Sequence, residues 1–112
     1  MPILQADYTN LNLDEMAKSI GLNVKHMPIL IDSFINESNG AITKLQNAIE
    51  SMDFEEIHQN AHFIKGSAGN LKFNEIYEMS KEMEHKAYEK DTDFDYKGYL
   101  DTIVKALSTI AK

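Results

Sequence analysis

The sequence predicts an all-α fold, an antiparallel up-and-down four-helix bundle with a short additional helix at the N-terminus. Apolar residues recur at steps of three and four along four long segments, which is the period of an amphipathic helix. The connections between these segments are only a few residues long, which favours antiparallel neighbours. No segment predicts a strand, and the 112 residues are expected to form one domain, residues 1–112.

Composition excludes several classes of function. Apolar residues make up 43% of the chain, as in a typical globular domain, and the absence of cysteine excludes disulfides and thiol chemistry. The net charge is -7 and the chain has no arginine, which argues against nucleic acid and anionic membranes as partners. No apolar run approaches the roughly 18 residues of a membrane span, and no signal peptide is evident. A cytoplasmic protein is therefore expected.

Two helices are predicted in the first half of the chain. The first is short, runs from Leu11 or Leu13 to Ile20, and ends at Gly21. The second runs from about Asn23 to Glu50, with Asn23 as its N-cap and Pro28 in its first turns. One apolar register continues through Gly40, which predicts one long helix, bent at most at this glycine. The residues of this register are Met27, Ile31, Phe34, Ser38, Ala41, Leu45 and Ala48.

The third helix is predicted from a capping box to about Leu71. The box is Asp53-Phe54-Glu55-Glu56, in which an N-cap side chain is followed three residues later by a glutamate. The inward residues of this helix recur at steps of 3, 4, 3, 4 and 3, and they are Phe54, Ile57, Ala61, Ile64, Ala68 and Leu71. At about 100° per residue, His62 points roughly 130° from the centre of this stripe, toward water.

Two further helices complete the predicted bundle. The fourth begins at Phe73 or Asn74 and runs to about Glu89, and a turn follows at residues 90–93. Its inward residues are Ile76, Met79, Met83 and Ala87. The fifth begins at Phe94 or Tyr96 and runs to Ala111. Its inward residues are Tyr96, Leu100, Ile103, Leu107 and Ile110.

The most informative stretch of the sequence lies in the third helix, at residues 61–71. His62 is followed one turn later by Lys65, and His58, Gly66 and Gly69 share the same side of the helix. A glycine inside a helix costs about 1 kcal/mol relative to alanine. Two glycines beside one exposed histidine therefore indicate that something large must approach the helix at this point.

This stretch resembles the motif of the histidine phosphotransfer (HPt) family, His-x-x-Lys-Gly followed by small residues. The matching residues here are His62, Lys65, Gly66, Ser67, Ala68 and Gly69. The family is an antiparallel four-helix bundle of about this length, and the resemblance extends more loosely over most of the chain. One departure is Lys72-Phe73, where many members have a glycine just after the helix.

The resemblance implies a function, partners and the source of the metal. His62 is expected to accept a phosphoryl group from an aspartyl phosphate of a receiver domain, or from a kinase, and to pass it to another receiver aspartate. The implied partners are receiver domains of response regulators or of hybrid histidine kinases, with the chain itself a monomer. No cofactor is expected on this chain, because Mg²⁺ comes with the receiver. No kinase activity of its own is expected, because no nucleotide-binding glycine loop is present.

Three residues are expected to carry the chemistry. The imidazole of His62 is suited to the task, because its reference pKa of about 6.5 leaves a large neutral, nucleophilic fraction near pH 7. Lys65 is expected to supply positive charge to the phosphoryl oxygens. Glu84 stands 22 positions after His62, where the family often has a polar residue that orients the imidazole. A carboxylate there would fix the tautomer and leave Nε2 free, although an ordinary exposed glutamate remains an alternative.

The remaining candidates are expected to contact the partner. Gly66 and Gly69 would leave room for the partner's loops, while Lys81 and Tyr88 share the side of Glu84 and would line the site. Phe63 either contacts the partner or is buried under the N-terminal helix. His58 is a neighbour of the site or an interface residue.

No metal is expected on this chain. The i, i+4 spacing of His58 and His62 is compatible with zinc, but no further ligand is placed nearby and the HExxH form is absent. Two alternatives to a phosphorelay intermediate stay open at this point. One is a phosphoacceptor domain cut from a larger histidine kinase, and the other is a non-catalytic helical adaptor in which His62 is incidental.

Overall fold

The computed structural model describes residues 3–110, and helices dominate this part of the chain. The helices are α1 (Leu13–Ile20), α2 (Met27–Ser51), α3 (Phe54–Asn70), α4 (Asn74–Tyr88) and α5 (Tyr96–Ser108). A 3-10 turn, Val24–His26, leads into α2. Residues 3–110 contain no strand, which confirms the all-α prediction.

The four long helices surround one apolar core. α3 packs against α2 and α4, and α5 also packs against α2 and α4, so the contacts close a ring. The largest side chains with almost no exposed surface include Phe73, Met27, Leu45, Ile57, Ile64, Ile76, Met79, Met83 and Ile103. The inward stripes predicted from spacing are confirmed, apart from Phe54, which is only partly buried. The alternating directions of the four helices stay a prediction that rests on their short connections.

The second helix is continuous, as predicted, but it begins later than the sequence indicates. The side chain of Asn23 accepts a hydrogen bond from the backbone N–H of Lys25 and therefore caps the 3-10 turn. The α-helix itself starts at Met27, with Pro28 in its first turn, where the missing N–H is not needed. α2 then runs through Gly40 without interruption.

The beginning and the end of α3 are both fixed by local hydrogen bonds. Asp53 accepts the backbone N–H of Glu56 at 3.2 Å through its side chain, which is the N-cap predicted from the sequence. At the other end the backbone N–H of Lys72 donates to the carbonyl of Gly69, and that of Phe73 donates to the carbonyl of Ala68. This pair of bonds is a Schellman motif, which requires a left-handed residue just after the helix.

Lys72 is that left-handed residue, with a φ of 65°. It stands where the family resemblance leads one to expect a glycine, the residue that adopts this conformation at least cost. Met52 and Lys90 occupy left-handed positions after α2 and α4 in the same way. At each of these three helix ends, a residue with a side chain therefore adopts a backbone conformation that glycine would adopt with less strain.

The last helix ends before the predicted position. α5 ends at Ser108, whereas the apolar spacing predicts an end at Ala111, which lies outside the described residues. The hydroxyl of Thr109 donates to the carbonyl of Ala106 at 2.6 Å and accepts the backbone N–H of Tyr8 at 2.8 Å. The backbone N–H groups of Thr109 and Ile110 donate to carbonyls only three residues earlier, so the helix ends in a tighter turn.

The substitution Lys72→Gly is expected to raise the free energy of unfolding by about 0.5–1 kcal/mol. Glycine relieves a left-handed strain of about 1–2 kcal/mol, and the greater freedom of the unfolded chain offsets part of that gain. The matched control is Lys44→Gly, an exposed lysine in the middle of α2, which should lower the free energy of unfolding by about 1 kcal/mol. Urea denaturation measures both. Equal destabilisation by the two substitutions would contradict this account of the α3 terminus.

Candidate functional site

The middle of α3 presents His62 to solvent. The neighbouring residues Ala61 and Ile64 are buried against the bundle, so the helix cannot rotate without exposing them. The His62 side chain is 64% exposed as a result. α4 packs along α3, and this contact brings the Glu84 side chain to the same place from the opposite helix.

Glu84 contacts two residues of α3 at once. Its Oε2 atom lies 2.5 Å from Nδ1 of His62, and its Oε1 atom lies 2.7 Å from Nζ of Lys65. Only 14% of the Glu84 side chain is exposed. The contact expected between Glu84 and His62 is therefore present. The alternative, that Glu84 is an ordinary exposed glutamate, is wrong. Its role in the chemistry stays a prediction.

The contact with Glu84 determines which nitrogen of His62 is free. A carboxylate only accepts hydrogen bonds, so Nδ1 of a neutral ring must carry the proton that it donates. The other nitrogen, Nε2, then carries the lone pair. Since most of the ring is exposed, a lone pair on Nε2 would be accessible to a group that approaches from solvent.

Lys65 lies at the site but does not point freely into solvent. The sequence predicts that its ammonium group serves the phosphoryl oxygens, whereas in the structure this group is bound to Glu84 and only 24% of the side chain is exposed. The spacing of His62 and Lys65 identifies the shared helix face correctly. It contains no information about the carboxylate that α4 brings to that face.

The same contacts change the acidity of Glu84. Partial burial raises the pKa of Glu84, but hydrogen bonds from Lys65 and His62, together with their electrostatic attraction, lower it more. The pKa of this carboxyl consequently lies below its usual value. Glu84 is thus a stable anion at neutral pH, held between two groups of α3.

His58 is the third residue of α3 near this carboxylate. Its Nε2 atom lies 3.8 Å from Oε2 of Glu84, and its ring centroid lies 5.8 Å from that of Tyr88. Tyr88 and Lys81 line a groove together with His58, Lys65 and Glu84, as expected from their shared side of α4. The i, i+4 spacing places His58 and His62 on one side of α3, but it does not indicate that both turn toward the same oxygen.

The residues expected to face a partner differ in their surroundings. Phe63 is 41% exposed, so the alternative that it is buried under the N-terminal helix is wrong. A Cβ atom at Gly66 would meet nothing within 4 Å, which fits a site kept clear for a partner. At Gly69 a Cβ atom would lie 3.1 Å from Cδ1 of Tyr77. The missing side chain of Gly69 therefore makes room for α4 of the same chain. Its clearance for a partner stays a prediction.

Residues 3–110 contain no group of three or more histidine or acidic side chains arranged to hold a metal ion. The pair His58 and His62 is directed at a carboxylate that already binds Lys65. Within the same residues no helix is long and apolar enough to cross a membrane.

Comparison with known families agrees with this arrangement. The Hpt domain family model matches residues 29–109, well over half of the chain, and the chain therefore belongs to the Hpt domain family. Membership assigns it to histidine phosphotransfer in two-component signalling, in which Hpt domains interact with receiver domains. No curated protein and no solved structure matched the chain significantly.

The substitution Glu84→Gln should lower the stability of the fold in a pH-dependent way. Because the folded pKa of Glu84 is lowered, its carboxylate stabilises the fold above the pKa of the unfolded chain, about 4.3. That stabilisation is lost as the pH falls through the folded pKa. The difference in free energy of unfolding between wild type and variant should therefore be present at about pH 6 and shrink below about pH 4.

Urea denaturation at both pH values measures this difference. The exposed Glu37→Gln on α2 is the control for the loss of one negative charge from an acidic chain. A difference for Glu84→Gln that matches the control at every pH, or that grows toward acid, would contradict the assigned contacts.

Proposed function

We propose that this chain is a phosphorelay intermediate in which His62 is the phosphoacceptor. It takes the phosphoryl group from an aspartyl phosphate of one receiver domain and passes it to the aspartate of another. The observation that carries the proposal is the 2.5 Å contact between Nδ1 of His62 and Glu84 on a helix of an Hpt domain. This contact leaves Nε2 available on an exposed ring.

The proposed step is an in-line displacement at phosphorus. The lone pair of Nε2 attacks the phosphorus atom, an N–P bond forms, and the P–O bond to the receiver aspartate breaks. The electron pair leaves with the aspartate, which becomes a carboxylate, while the proton on Nδ1 stays between the ring and Glu84. In this proposal Mg²⁺ comes with the receiver, and there it would neutralise charge on the transferring oxygens.

The surface beside His62 supports docking of another protein. Phe63 offers an exposed aromatic ring next to the nucleophile, and Gly66 leaves the helix surface open. An aromatic residue at the centre of an interface supplies a large apolar contact area. Both residues lie beside His62 on α3, so both are available for contact with a receiver that reaches Nε2.

The substitution His62→Gln is expected to abolish phosphoryl acceptance while the helical fold is kept. The amide fills similar space and retains a donor for Glu84, but it has no nucleophilic nitrogen. Transfer of radiolabel from phosphorylated receiver domains, followed on gels, measures acceptance. The label on wild type should be lost in acid and kept in alkali, as expected for a phosphorus–nitrogen bond.

His85→Gln is the matched control, because His85 is exposed on α4 and should not be labelled. Label retained by His62→Gln would contradict the assignment of the phosphoacceptor. Wild-type protein that takes no label from any receiver of its host would instead favour the non-catalytic helical adaptor.

A further inference from the structure

Besides His62, the carboxylate of Glu84 has two neighbours on α3 that can carry a positive charge, Lys65 and His58. The two do not have to be its cationic partners at the same time. Lys65 is bound to Oε1 at 2.7 Å, while Nε2 of His58 lies 3.8 Å from Oε2. At 3.8 Å there is no hydrogen bond, but an ion pair forms if His58 takes up a proton. Lys65 is therefore the present counter-ion of Glu84, and His58 is a second group within reach.

Transfer of the phosphoryl group changes the charge of this site. Before transfer, Lys65 and Glu84 cancel each other, and His58 and His62 add no charge as long as both rings are neutral. The phosphoryl group arrives with one net negative charge if His62 keeps the proton on Nδ1. Its oxygens attract Lys65, the nearest lysine on the same helix face, and any movement of Lys65 toward them takes the counter-ion away from Glu84.

His58 is the group best placed to compensate this change. It lies one turn before His62 on α3, its side chain is 33% exposed, and histidine is the side chain that exchanges protons near neutral pH. The groove on one side of His58 is lined by Lys65, Lys81, Glu82, Glu84, His85 and Tyr88. The groove on its other side has the charged residues Asp53, Glu55 and Lys90.

The charged groups around His58 favour its protonation once Lys65 leaves. The two grooves hold four carboxylates and three lysines, so when Lys65 is drawn to the phosphoryl group four carboxylates face two lysines. His85 is drawn toward Glu89, 3.6 Å away, rather than toward Glu84. If Lys65 moves away from Glu84, His58 is the remaining ionisable group of these grooves that lies within 4 Å of the Glu84 carboxylate.

We infer that His58 is a positioning residue that takes up a proton when His62 is phosphorylated and replaces Lys65 as the counter-ion of Glu84. This inference rests on the proposed function of His62. The proton comes from solvent and returns the net charge of the site to zero. Glu84 then keeps its place against Nδ1 of His62 while Lys65 serves the phosphoryl oxygens. Phosphorylation is thereby coupled to proton uptake at a residue that never touches the phosphoryl group.

The coupling can be tested without phosphorylation. A phosphorylated His62 ring cannot take a further proton, and the His62→Gln background reproduces that property. In this background, Lys65→Met removes the cation and keeps most of the side-chain volume. The pH at which the ring signals of His58 titrate, followed by NMR, should rise by about half a pH unit or more when Lys65 is replaced.

Two controls accompany this titration. The signals of His85 should not move, and adding Glu84→Gln to the double variant should remove the rise at His58. Lys65→Gln serves as a second replacement if the methionine variant folds poorly. An unchanged titration of His58 on loss of Lys65, or a rise that survives Glu84→Gln, would overturn the inference.

The functional arm compares wild type with His58→Gln over a range of pH. Acceptance of phosphate from a labelled receiver domain should be slower in the variant at about pH 6.5 and equal to wild type at about pH 9, where a histidine is neutral. His58→Lys, which keeps a cation, should restore the rate at the lower pH. A loss that is uniform over pH would indicate a structural role and overturn the inference. Wild type that accepts no label would refute the proposed function instead, whatever the titration shows.

Discussion

The site depends on one carboxylate held between two helices. Glu84 is largely removed from solvent, and each of its oxygens meets a different residue of α3. A buried carboxylate is costly unless it is paired and hydrogen-bonded, so Lys65 and His62 stabilise the charge of Glu84. Glu84 in turn orients both side chains. The imidazole is thus positioned by a charge that the fold cannot easily move. α3 determines where His62 lies, and the contact with Glu84 on α4 determines which tautomer its neutral ring adopts.

This arrangement requires a fixed register between α3 and α4. Ile64 of α3 and Met83 of α4 are fully buried, and Glu84 follows Met83 directly in the chain. A shift of α4 by one residue would bury the carboxylate or withdraw it from His62. Gly69 contributes to this register, because the ring of Tyr77 lies close to its backbone. The core of the bundle therefore fixes the geometry of the site as well as the stability of the fold.

The sequence predicts most of the fold because its apolar spacing reports which face of each helix is buried. It does not predict where α5 ends, and it contains no sign of the hydrogen bond at that end between Thr109 and Tyr8, which are 101 residues apart. The site divides in the same way. Spacing places His62 and Lys65 on one face, and the family resemblance points to Glu84. The ion pair of Lys65 and the approach of His58 depend on packing between helices, which the spacing within one helix does not contain.

The central claim is that Glu84 holds His62 with the proton on Nδ1 and the lone pair on Nε2. The ¹⁵N chemical shifts of the two ring nitrogens of His62 test this most directly, at about pH 8, where a histidine is neutral. The account predicts a protonated Nδ1 and an unprotonated Nε2 in wild type, and a mixture of the two tautomers in Glu84→Ala. A wild-type ring with its proton on Nε2 would contradict the account, because the nitrogen that faces solvent would then have no lone pair to offer.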